Sequence, residues 1–194
     1  MTVAGIVQIV VYFVVLVALA VPLGAYMARV YTRKARFAQR ILGPIERGLY
    51  RLLGIREDHE QTWKQYAVSV LVFSIAGVVL VYTLQRLQAW LPENPNYLGN
   101  VDPRVAANTA VSFFTNTNWQ TYAGETTMSH LVQAIALGVQ NFVSAACGMA
   151  VLVALTRAFV RRHAEKIGNF WVDLTRSTVY ILLPLSVLLA VVLA

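Results

Sequence analysis

The chain has 194 residues, of which 58% are hydrophobic and only 13% charged, and the apolar residues gather in long runs. That excess excludes an ordinary soluble domain and marks an integral membrane protein. A net charge of +7 would suit nucleic acid if the bases formed one patch, but nearly all fall in two blocks between apolar runs, which is a topology signal instead.

The first apolar run, Val3 to Ala28, is broken only by Gln8 and is long enough to span a bilayer. No base precedes it, whereas Arg29, Arg33, Lys34 and Arg36 follow, so it reads as an uncleaved anchor with its N-terminus outside. Pro22-Leu23-Gly24 predicts a kink near its inner end. The basic segment 29–64 also carries Arg40, Arg47, Arg51, Arg56 and Lys64, against Glu46, Glu57, Asp58 and Glu60. Within it Ile41, Leu42, Ile45, Leu49, Leu52 and Leu53 recur at helical spacing. This fits either an amphipathic helix on the inner membrane surface, near Glu46–Leu53, or a solvated loop.

A second span runs from about Gln65 to Trp90, with Trp63, Tyr66 and Trp90 as interfacial aromatics, and Pro92-Glu93-Asn94-Pro95 ends it. Asp102 and Pro103 then suit the N-cap and first position of a helix. Its body, Arg104 to Phe114, is about 16 Å long at about 1.5 Å per residue, roughly half of a bilayer core. The uncharged run Thr115-Asn116-Thr117-Asn118-Trp119-Gln120 follows, and no charge appears before Glu125. A half-helix whose partially negative C-terminus feeds such a run attracts cations. The residues fit a segment of an ion selectivity filter, with Thr115–Asn118 extended and Asn116 and Gln120 bracing it. They also fit an outer loop carrying a short surface helix.

A third span is expected from about Ser129 to Phe159, with Gln133, Gln140, Asn141, Ser144 and Gly148 within a helical arc of roughly 100°. Such a face turns away from lipid, either onto the loop or into hydrogen bonds between helices. Cys147 lies in the same run as a small packing residue, and as the one cysteine it excludes an intrachain disulfide. A second inner basic block, 157–168, holds Arg157, Arg161, Arg162, His163 and Lys166. The fourth span, from Phe170, carries Asp173 and Arg176 three residues apart, a spacing at which they could pair. It runs to Ala194 without a polar tail, so the chain is expected to continue in a longer protein.

These elements predict an all-α integral membrane protein with four transmembrane helices and one re-entrant half-helix. Residues 1–28 form an anchor, 29–64 a cytoplasmic loop, 65–159 a span–pore-loop–span unit, and 160–194 a loop with the first span of a second, incomplete unit. Catalysis is not expected. His59, His130 and His163 are scattered, no carboxylate pair shares a membrane face, and there is no phosphate-binding Gly-x-x-x-x-Gly-Lys loop.

The run Asn108–Gln120, with Tyr122-Ala123-Gly124-Glu125-Thr126-Thr127 and Val139–Ala146, resembles the family of KdpA, the potassium-binding subunit of bacterial Kdp potassium-transporting P-type ATPases. Pro22-Leu23-Gly24, Trp63-Lys64-Gln65-Tyr66 and Asn169–Leu174 match that family too. The resemblance implies a potassium-channel-like fold of four pseudo-repeats, of which only the N-terminal third and one filter segment are present. It further implies K+ held by the backbone of Thr115, Asn116, Thr117 and Asn118, with Trp119, Gln120, Gly124, Glu125, Gln140 and Asn141 in support. ATP would be used only on a separate P-type ATPase subunit, with two small membrane subunits as further partners. No cofactor beyond the transported K+ and no nucleic acid is implied, and the location would be the bacterial inner membrane. A passive channel or cation symporter subunit, or a fragment that transports nothing, are the alternatives.

Overall fold

The computed structural model describes residues 2–161 and 165–194, so Arg162 and His163 of the second basic block lie outside the described residues. Among the described residues, four helices are long and apolar enough to cross a membrane: Val3–Tyr31, Trp63–Trp90, Val132–Val160 and Phe170–Leu193.

Helix α1, Val3–Tyr31, runs unbroken through Pro22 and continues past Ala28. Its end is set by a tight turn in which the Arg29 carbonyl accepts from the amides of Lys34 (2.7 Å) and Ala35 (3.2 Å). Arg33 takes a left-handed φ of 59° there. Helix α2, Arg36–Leu53, begins well before Glu46 and stops at Gly54, whose φ of 64° is left-handed. The segment is therefore a helix and not a solvated loop. It packs its Gly43, Glu46 and Tyr50 face inward and leaves Phe37, Ile41, Ile45 and Leu52 exposed.

Helix α3, Trp63–Leu87, starts at a reciprocal cap: Gln65 N–H donates to Thr62 Oγ1, and Thr62 N–H to Gln65 Oε1. Next come the half-helix α4, Pro103–Phe114, and a single turn α5, Gly124–Thr127. The third long helix opens with a π-helical turn, Val132–Gly138, and continues as α6, Val139–Val160. The fourth is α7, Phe170–Arg176, a second π turn at Ser177–Leu182, and α8, Leu183–Leu193. Two short antiparallel strands, β1 (Gln61–Thr62) and β2 (Lys166–Gly168), join the ends of the two basic connections. Segments this short carry no alternating pattern by which a sequence could announce them.

Buried charges fasten the end of the bundle where the two basic connections meet. Asp173 and Arg176 do not pair with each other. Arg157 binds Asp173 through two hydrogen bonds, 2.6 and 2.8 Å, and Tyr66 Oη donates to Asp173 Oδ2 at 3.2 Å. Arg176 donates to Glu46 (3.1 Å) and Glu57 (2.6 Å), and Glu57 also pairs with Arg33. The reason is geometric. A carboxylate only 1% exposed gains more from a bidentate guanidinium on another helix than from a neighbour one turn along its own. Cys147 packs as expected, beside Tyr66, Ala150, Ala154 and Phe170.

Candidate ion-coordinating loop

Helix α4 is held by its cap and by Gln85 of α3, while Gln88 in the turn after α3 ties together the segments on either side of α4. Asp102 Oδ1 accepts from the amides of Arg104 (2.9 Å) and Val105 (3.4 Å), with Pro103 in the first turn. Ala106 and Ala110, one turn apart and fully buried, let α4 lie close against α3. Gln85 Nε2 donates to the Ala106 carbonyl at 3.2 Å. Gln88 Nε2 donates to the carbonyls of Gly99 (2.6 Å) and Thr127 (2.9 Å), while its Oε1 accepts from the Ser129 amide (3.0 Å). Neither glutamine belongs to the residues expected from the sequence. The available signal was two glutamines three residues apart at the end of an apolar span, since buried amides there need partners.

Directly after Phe114 the backbone folds back on the helix end. The amides of Thr115, Asn116, Thr117 and Asn118 donate to the carbonyls of Val111 (2.9 Å), Phe113 (3.3 Å) and Ser112 (2.9 and 3.2 Å). Asn116 and Asn118 take φ of 57° and 56°, whereas the two threonines keep negative φ. The segment is therefore not the extended strand expected, in which successive carbonyls would alternate sides. Alternating handedness gathers successive N–H groups on one side and leaves the carbonyls on the other. Asparagine tolerates the left-handed region better than other residues with a Cβ, which explains the Thr-Asn-Thr-Asn alternation. Among the described residues no hydrogen bond ends on the carbonyl oxygens of Thr115, Asn116, Thr117 or Asn118. The result is a short row of oxygen acceptors at the partially negative end of a half-helix.

The expected supporting residues divide. Asn116 Oδ1 accepts from Ser144 Oγ of the third long helix at 3.3 Å, so the polar face of that helix does meet the loop. Ser112 Oγ closes the loop by donating to the Trp119 carbonyl at 2.8 Å, and the Thr115 and Thr117 hydroxyls lie 2.8 Å apart. The Gly124 carbonyl accepts from Gln133 Nε2 at 3.2 Å. Trp119 is 63% exposed, and Gln120 and Glu125 are also exposed, without side-chain hydrogen bonds among the described residues. Gln140 is buried and Asn141 half-buried, with Gln140 Nε2 and Asn141 Oδ1 unpartnered among the described residues. Burial pushes the Tyr122 hydroxyl above its ordinary pKa, so this ring beside α4 stays neutral.

Gly77 of α3 is a further positioning residue that no motif indicated. A Cβ at Gly77 would lie 2.3 Å from Phe114 Cε2, so the absent side chain is the seat of the Phe114 ring. Phe73 meets that ring edge-on at 5.5 Å between centroids. The last residue of α4 is thereby fixed where the carbonyl row begins.

Comparison with known proteins gives a consistent result. The profile of the KdpA family, potassium-transporting ATPase A subunit, matches residues 10–194. The chain is 57% identical over 193 residues to a potassium-transporting ATPase potassium-binding subunit from Sorangium cellulosum, covering 100% of this chain and 33% of the relative. It is 58% identical over 189 residues to the protein so described from Herpetosiphon aurantiacus, covering 97% of this chain and 32% of the relative. It is likewise 58% identical over 193 residues to the one from Methylococcus capsulatus, covering 100% and 32%.

Proposed function

The chain belongs to the KdpA family of potassium-transporting ATPases, and from that membership we propose that Thr115–Asn118 is one segment of a potassium filter. The protein would bind and select K+ for an ATP-driven uptake complex. The observation that carries this reading is the row of four carbonyls left free while all four amides are tied to the end of α4. Neutral carbonyl oxygens can replace the hydration shell of K+ without holding the ion so tightly that it cannot leave. The chain spans about a third of the length of the curated relatives it matches (33% and 32%). One segment supplies only part of a coordination shell, and the remainder comes from equivalent segments outside these 194 residues.

In this reading residues 65–159 are the first pore repeat and 160–194 open the second. The potassium-binding subunit itself is non-catalytic. ATP hydrolysis belongs to a P-type ATPase partner, and two small membrane subunits complete the complex. The basic segments 29–64 and 157–168 face the cytoplasm, which puts the N-terminus outside and the carbonyl row within reach of outside K+. The complex lies in the bacterial inner membrane.

A potassium titration of ATP hydrolysis by the assembled complex tests the reading. Gln120→Arg sets a fixed positive charge beside the proposed path, and like charges about 4 Å apart at an effective dielectric near 20 repel by roughly 4 kcal/mol. Half-saturation is expected to move to far higher K+. A titration curve identical to wild type overturns the assignment.

A further inference from the structure

Between α2 and α8, at the C-terminal end of α1, lies a groove of about 940 Å3. Leu183, Val187, Leu188 and Val191 form one wall and Phe37 and Ile41 the other. Phe37 is 80% exposed, so its ring is free to pack against an apolar ligand in the groove. Arg29, Lys34 and Arg36 also line the groove, gathered by the turn in which the Arg29 carbonyl accepts from the Lys34 amide at 2.7 Å.

Charge is segregated here. The two nearby acids are committed elsewhere, Glu46 to Arg176 and two tyrosines, and Glu57 to Arg176 and Arg33. Among the described residues Arg29, Lys34 and Arg36 have no ion pair, and no acid lines the groove. A ligand for this site has an anionic head for three cations and an apolar body for the wall below them. The wall from Leu183 to Val192 descends about 14 Å at about 1.5 Å per residue, close to half of a ~30 Å hydrocarbon core, which is the depth of one leaflet.

We propose that this groove is a binding site for an anionic phospholipid, of the inner leaflet given the orientation proposed above. The headgroup phosphate lies among Arg29, Lys34 and Arg36, and an acyl chain lies along α8 beneath Phe37. Phosphate contacts from several cations distinguish such a lipid from a zwitterionic one, whose own positive charge opposes them. Exposed Phe37 and Ile41 then complete the apolar bed of a helix lying at the membrane surface.

Photocrosslinking in membranes tests the proposal with the whole chain. p-Benzoylphenylalanine replaces Phe37, and the protein is reconstituted in nanodiscs of phosphatidylcholine with a minority of phosphatidylglycerol. Mass spectrometry identifies what is captured. Phosphatidylglycerol adducts enriched over that lipid's share are expected. In Arg29→Gln/Lys34→Gln/Arg36→Gln the enrichment falls by roughly fivefold per residue, on the order of a hundredfold in all. Arg51→Gln/Arg56→Gln/Lys64→Gln, with the same net charge and no residue in the groove, keeps the enrichment. Phosphatidylcholine capture that rises in the first triple variant, as that lipid takes the vacated groove, verifies that the groove still folds. Capture in proportion to lipid share overturns the proposal, and so does capture of polypeptide, which would mean that protein covers the groove.

Discussion

Replacing Gly77 by alanine probes how the end of α4 is seated. In an exposed helix interior Gly→Ala stabilises by about 0.5–1 kcal/mol, because alanine loses less backbone entropy. At Gly77 the new Cβ would stand 2.3 and 2.4 Å from two atoms of the Phe114 ring, with Gln140 Oε1 at 3.3 Å. Carbon atoms rest at roughly 3.5–4.0 Å, so the ring must retreat by more than about 1 Å. Phe114 is only 7% exposed and is flanked by Phe73, so it has little room to do so. Overpacking of this kind costs about 1–3 kcal/mol, more than the helix preference returns. Gly77→Ala should therefore destabilise the protein. Gly148→Ala, in α6 with nothing within 4 Å, should be neutral or stabilising. Thermal unfolding in detergent compares the two, and Phe114→Leu in the Gly77→Ala background should recover part of the loss as a coupling of about 0.5–3 kcal/mol. Because Thr115 follows Phe114 directly, Gly77→Ala in the assembled complex should also lower selectivity for K+ over Na+. A Gly77→Ala protein as stable as wild type, with no coupling to Phe114, refutes this seating of α4.

Arg157→Met should cost about 3–5 kcal/mol, because it strands an Asp173 carboxylate that is 1% exposed; unfolding midpoints of the variant and of Arg157→Met/Asp173→Asn check this, the double variant being the more stable. Burial alone would raise the Glu46 pKa, but hydrogen bonds from Tyr180, Tyr50 and Arg176 outweigh it and hold the carboxyl below its ordinary value. Its stabilising contribution is thus complete above the usual glutamate range and is lost as pH falls through the lowered value, so melting curves across acid pH should be flatter for Glu46→Gln than for wild type. Ser144→Ala removes one 3.3 Å hydrogen bond to Asn116 and should cost no more than about 0.5–1.5 kcal/mol in stability, while discrimination between K+ and Rb+ in ATPase titrations weakens measurably.

Much of this arrangement is legible in the sequence because its signals are local. Long apolar runs give the four spans, and Asp102-Pro103 gives the start of α4 to the residue. The uncharged Thr/Asn run marks the loop, and the alternation of two asparagines with two threonines could have indicated alternating backbone handedness rather than a strand. What was not legible depends on distance in the fold. Spacing three apart suggested that Asp173 and Arg176 pair, yet each finds a partner 16 or 130 residues away. Gly77 reads as an ordinary helix glycine until the Phe114 ring is placed against it. The π turns at Val132–Gly138 and Ser177–Leu182 rotate the polar faces away from ideal helical periodicity, which a fixed 100° step does not anticipate.

The most direct test is to watch the carbonyls themselves. With 13C placed at the backbone carbonyls of Thr115, Asn116, Thr117 and Asn118, solid-state NMR of the assembled complex in membranes is recorded while K+ replaces Na+. All four resonances are predicted to shift together and to saturate over the K+ range that activates ATP hydrolysis. If K+ activates hydrolysis while those four resonances stay where they were in Na+, the carbonyl row does not hold the ion.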